Sequence, residues 1–207
     1  MPTRDQLATK YPAVTDSGVP ENKNIMCPFL RMIEKTGLYD SNDDDSVLSQ
    51  ATVISGTTEF GCDSVFCTGL ASTTGNKQGL QGDIDIEDLA NVPDISHECG
   101  LTFAFGSKQV DDAIREDTLD RLFELADAEG NLSYDDLLSV KLAICAEQGV
   151  SITPLGEGEV KLIFAFLGGV DRGFVSFSDV DAFLHARLPG TITSKRISAS
   201  LLNSIGD

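Results

Sequence analysis

Residues 115–149, REDTLDRLFELADAEGNLSYDDLLSVKLAICAEQG, hold two helical signatures in succession. The first places Leu119, Leu122, Phe123 and Leu125 or Ala126 along one face, the spacing of an amphipathic helix, and Gly130 is a natural stop. The second begins at Ser133, with Asp136 three residues on as a capping-box variant, and stops at Gly149. Two amphipathic helices joined by a short glycine turn bury their apolar faces against other helices. GEGEVKLIFAFLGG (156–169) and SFSDVDAFLHARLP (176–189) predict two more, the last ended by Pro189, so the second half reads as helix-loop-helix units.

Upstream, NIMCPFLRMIEKTGL (24–38) predicts a helix entered at Pro28. SVLSQATVISG (46–56) and SVFCTGLAST (64–73) read as helices on context, although their periodicity also allows strands. DIEDLANVPDISHECG (85–100) opens with acidic residues suited to a helix start and reaches Pro93, which stops it. Residues 1–24 are polar, broken by Pro12, Gly18 and Pro20, and read as an extended arm; residues 191–207 read as a tail that packs or wraps. The expectation is an all-α chain, with one compact domain of about seven to ten helices over residues 25–190.

Among 207 residues, 15 Lys and Arg stand against 33 Asp and Glu, a net charge of −18 that repels nucleic acid and anionic lipid. The longest apolar run, VKLIFAFLGGV (160–170), is far short of a membrane span. With no apolar signal segment at its start, the chain is expected to be cytoplasmic, or secreted if a leader has been removed. Five cysteines leave at least one unpaired; Cys62 and Cys67 read as buried thiols, with a disulfide as the alternative. Two histidines exclude a multi-histidine metal site.

Three places carry chemistry. Cys27, directly before Pro28, sits at a helix N-cap, where backbone N–H groups and the helix dipole favour thiolate; such a sulfur is a nucleophile, a metal ligand or a buried structural thiol. Ser96, His97 and Glu98 cluster in ISHECGLTF (95–103), a polar pocket or a hydrogen-bonded surface loop. Glu157 and Glu159 in GEGEV (156–160) stand ahead of the most apolar helix, either solvated or drawn into a pocket that raises a carboxyl pKa.

In this order the three places resemble the haem-thiolate peroxidase family of chloroperoxidases and fungal unspecific peroxygenases. MCPFLRMIEKTGL (26–38) resembles the family's Pro-Cys-Pro motif and following helix, with Met26 in place of the first proline. SHECGLT (96–102) resembles its Glu-His-Asp and Ala-Ser-Leu-Ser motifs, with Ser96, Glu98 and Gly100 departing from them. GEGEV upstream of a glycine loop and ARLP (186–189) resembles the setting of its distal glutamate. The resemblance covers residues 27–189 and implies a helical domain around a haem b pocket, with Cys27 as axial ligand and Pro28 beside it. It implies Glu157, with Glu159 as the alternative, as acid-base toward hydrogen peroxide, His97 orienting that carboxylate, and Phe103, Phe105, Phe164 and Phe166 walling a channel for a small organic substrate. A divalent cation (Mg2+, Mn2+ or Ca2+) beside a haem propionate would fall to Ser96 and Glu98.

A rival comes from LADAEGNLSYDD (125–136) and GGVDRGFVSFSD (168–179), which lie on the twelve-residue EF-hand frame with Gly130 and Gly173 at position six. Position one is Leu125 in one and Gly168 in the other, and Val170 and Arg172 take two ligand positions of the second. The alternative function is therefore a non-catalytic, EF-hand-like helical protein that binds Ca2+ or a partner.

Overall fold

The computed structural model describes residues 1–39, 46–92, 99–104, 106–107 and 109–206. Ten α-helices fall among them: α1 (Arg4–Lys10), α2 (Pro28–Glu34), α3 (Gln50–Glu59), α4 (Ser64–Lys77), α5 (Asp112–Leu125), α6 (Tyr134–Glu147), α7 (Pro154–Phe166), α8 (Gly169–Arg172), α9 (Phe177–Leu184) and α10 (Ala199–Asn203). Four two-residue strands complete the set: β1 (Val47–Leu48), β2 (Ile84–Asp85), β3 (Asn131–Leu132) and β4 (Val175–Ser176). The chain is all-α in class, and one hydrophobic cluster runs from Leu7 to Ile205. No helix among the described residues is long and apolar enough to cross a membrane.

The second half follows its sequence signals closely. Ser133 caps α6 through a capping box with Asp136, Thr153 caps α7 with Pro154 at its first turn, and Ser176 caps α9. On α5 the buried stripe is Arg115, Thr118, Leu119 and Leu122, whereas Phe123 is 67% exposed and Leu125 45%. Phe123 instead meets Phe177 edge to face at 5.4 Å, outside the core. The loops α5–α6 and α8–α9 are bound to each other where β3 pairs antiparallel with β4, Asn131 opposite Ser176 and Leu132 opposite Val175. Gly130 (φ 78°) and Gly173 (φ 83°) take the left-handed turn entering each strand, which a side chain disfavours.

The first half corrects several expectations. Residues 1–24 are not an extended arm: Thr3 caps α1, a 3-10 turn spans Pro12–Thr15, and Leu7, Tyr11 and Val14 are buried in the common core. The apolar positions are four or three apart, so a single short amphipathic stripe was present beneath the polar composition. Residues 46–48 open with β1 rather than a helix, and α3 begins after Ser49, whose side chain caps it. DIEDLANVPDISHECG does not open with an α-helix; its described part is β2, paired to β1, followed by a 3-10 turn at Leu89–Asn91. The Asp85 carboxylate accepts hydrogen bonds from the amides of Glu87 and Asp88, an Asx turn that competes with helix formation. Helix α4 fits against this segment only because residue 75 is glycine: a Cβ there would lie 2.3 Å from the Asp83 carbonyl oxygen. Residues 191–206 form a packed strap that carries α10, with Thr193, Ile197 and Ile205 buried.

A buried charge network ties α2, α5 and α9 together. Arg31, fully buried, ion-pairs with Glu21 at 2.9 Å, and Arg115 of α5 meets the same carboxylate at 2.5 Å. Arg31 also donates to the carbonyls of Ile25 (2.9 Å), Met26 (2.8 Å) and Leu184 (3.0 Å). One guanidinium thus holds the two residues before Cys27 against the end of α9, fixing how the chain enters α2.

Candidate functional site

Cys27 is the N-cap of α2, with extended backbone (φ −72°, ψ 116°) and proline behind it at the first helical position. Its thiol makes no capping hydrogen bond and lines a cavity of about 640 Å³. Burial pushes the thiol pKa up, and the Leu30 and Phe29 amides pull it back only in part. The expectation of a thiolate favoured by the helix start is therefore corrected: desolvation outweighs the amides, and the unligated sulfur is held as thiol.

The cavity lies between α2, α4, α7 and α10 and is walled mainly by apolar side chains, in the size range of small-molecule and cofactor sites. It gathers Cys27, Pro28, Phe103, Glu157, Glu159 and Phe166, residues far apart in sequence. Phe164 lies elsewhere: it is buried against Tyr134 (ring centroids 5.9 Å) and the Gly169 backbone, and is core rather than channel wall. Ser96, His97, Glu98 and Phe105 lie outside the described residues.

The two glutamates, two residues apart on α7 and so on different sides of the helix, have different surroundings. Helix α7 starts at Pro154, so both stand in its first turns rather than ahead of it. The Glu157 side chain is 44% exposed, faces Lys161 at 3.2 Å, and accepts from the Tyr134 hydroxyl at 3.5 Å. Glu159 is 13% exposed and meets Lys141 at 2.5 Å, a fully buried ammonium on α6. The buried ammonium holds Glu159 in place, whereas Glu157 and its partner Lys161 are both more exposed.

Two disulfides shape the surroundings. Cys62 bonds to Cys67 and Cys99 to Cys145, and the fifth cysteine, Cys27, is free. The reading of Cys62 and Cys67 as thiols is thus corrected: Asp63 caps α4 and turns the chain so that their Cα atoms come within 6.2 Å, inside the range that a disulfide spans. Both residues line the cavity. The second disulfide anchors residues 99–104 to α6 and so places Phe103 on the cavity wall. Gly100 lies flat against the Phe103 ring, where a Cβ would stand 2.1 Å from it. A serine at that position would displace the ring.

Lys141, Lys161 and the α10 residue Asn203 were not anticipated as parts of this site. Lys161 was legible as the i+4 partner of Glu157. Lys141 carried no local signal, because only the α6–α7 packing brings it to Glu159. The strap that carries Ile197 to the cavity is held by Asp171, which accepts from the Thr193 hydroxyl (3.0 Å) and the Ser194 amide (3.1 Å) and pairs with Lys195 (3.2 Å). Burial pushes the Asp171 carboxyl up, but these donors outweigh it and hold its pKa below the ordinary value of 3.8. A depressed carboxyl pKa contributes stability that is present above the unfolded value and lost as pH falls through the folded one. Acid melts should therefore lose stability below the ordinary aspartate range, and Asp171→Asn should flatten that slope; identical slopes would show that the strap is held by other contacts.

No protein-family model and no curated protein matches this chain.

Proposed function

We propose that this chain is a divergent haem-thiolate peroxidase or peroxygenase, using hydrogen peroxide to oxidise, oxygenate or halogenate a small organic substrate. The observation that carries the reading is the convergence of the free Cys27, at a helix start, with Glu157 on one apolar cavity of about 640 Å³. The donor set fits haem b: one soft sulfur for the iron and an enclosure apolar enough for the macrocycle. When bound through a thiolate, haem supplies cleavage of the peroxide O–O bond. Cys27 would hold the iron as thiolate, its sulfur's charge tempered by the Leu30 and Phe29 amides. Glu157 would accept a proton from the first peroxide oxygen and return it to the departing one, while Phe103 and Phe166 exclude water. The two disulfides favour an oxidising compartment over the cytoplasm.

Protein supplemented with haem is expected to develop a Soret band and, when reduced under carbon monoxide, the red-shifted band that distinguishes sulfur from nitrogen ligation. Cys27→Ala should abolish the shift. Protein that stays colourless would overturn the proposal.

A second reading, the EF-hand-like protein binding Ca2+ or a partner, draws support from the β3–β4 pairing of its two loops. In the second loop, however, Arg172 faces the position-twelve carboxylate of Asp179 at 3.8 Å, placing an internal cation where a calcium ion would need that ligand. A Ca2+-dependent rise in melting temperature, with no uptake of haem, would favour this reading.

A further inference from the structure

We infer that the cavity takes an apolar molecule bearing a carboxylate, and that Lys161 leaves Glu157 to hold it. The inference deepens the proposed function, resting on the same cavity as the binding site. Lys161 is the one cationic side chain lining that cavity among the described residues. A chain of net charge −18 repels an anionic guest, so a carboxylate seated on an apolar wall needs a fixed cation beside it.

The other polar groups of the wall are poorly suited. The hydroxyls of Thr57 and Thr74 donate to the carbonyls of Val53 (2.8 Å) and Leu70 (2.9 Å), within their own helices. Glu157 and Glu159 repel an anion, and Lys141 is committed to Glu159 at 2.5 Å. Asn203 is neutral and exposed on α10. Lys161 can change partner at little cost, because its pair with Glu157 joins side chains 22% and 44% exposed, and such pairs contribute little. The exchange would leave the Glu157 carboxylate with the Tyr134 hydroxyl and an open face to the cavity.

Two molecules carry this chemistry: haem, through its propionates, and a long-chain aliphatic acid as substrate. Binding of haem, haem dimethyl ester, a long-chain fatty acid and the matching alcohol to the full chain and to Lys161→Gln and Lys161→Arg separates them. Lys161→Gln is expected to weaken one or both acids about tenfold or more, leave their neutral partners unchanged, and be rescued by Lys161→Arg. Loss confined to haem identifies a propionate contact, and loss confined to the fatty acid identifies a substrate contact. Equal binding of each acid to wild type and Lys161→Gln would overturn the inference, as would failure of both acids to bind. If neither haem form binds but the fatty acid distinguishes the variants, the haem proposal falls and this inference stands. Thermal melts of each variant verify that it is folded.

Discussion

Arg31→Met is expected to lower the unfolding free energy by about 3–5 kcal/mol, the scale of breaking a buried ion pair. Two buried carbonyls, at Ile25 and Met26, would lose their donor, each at about 1–3 kcal/mol if left unsatisfied, and that of Leu184 would keep only the longer bond from Arg115 at 3.4 Å. Glu21 would keep Arg115 at 2.5 Å, so the stranded carbonyls, rather than a stranded carboxylate, dominate the cost. Glu21→Gln instead leaves two guanidiniums facing each other without their shared counter-charge. Urea denaturation of Arg31→Met, Glu21→Gln and the double variant measures the coupling. A loss under about 1 kcal/mol for Arg31→Met, the size of a surface pair, would show that the network is not what holds the entry to α2.

Glu157→Gln is expected to reduce peroxide-dependent turnover by about 10²–10⁴-fold, the usual contribution of a positioned acid-base, with the haem spectrum unchanged. Glu159→Gln should act differently. Its carboxylate balances Lys141, which is fully buried, so the variant should lose stability by about 3–5 kcal/mol. Lys141→Met added to Glu159→Gln should restore part of that loss, because an uncharged pair needs no partner. Turnover measured beside thermal melting tells the two roles apart. If Glu159→Gln abolished turnover in a protein of unchanged stability while Glu157→Gln did not, the assignment of the two carboxylates would be exchanged.

The contrast between these glutamates marks where sequence reading stopped. Both stand in GEGEV, and the one local distinction is Lys161, four residues after Glu157. Their difference comes from α6, which sends Lys141 to one, and from α7's own next turn, which sends Lys161 to the other. The first 24 residues failed for a related reason: polar composition concealed a short stripe of Leu7, Tyr11 and Val14 that gains order only by docking on the common core. Isolated helices of seven residues are unstable in water, so composition understates them.

The sequence by itself determined the helical class, the capped helices of the second half with their glycine stops, and the placing of Cys27 at a helix start. Each rests on interactions within a few residues: side-chain caps, proline's fixed φ, and apolar spacing of three and four. Only the tertiary structure decided that Cys27, Glu157 and Phe103 share one cavity, that four cysteines pair and leave Cys27 free, and that burial holds its sulfur as thiol. Those outcomes depend on which surfaces exclude water from one another, and that depends on contacts between residues as distant as Arg31 and Leu184, which no local pattern encodes.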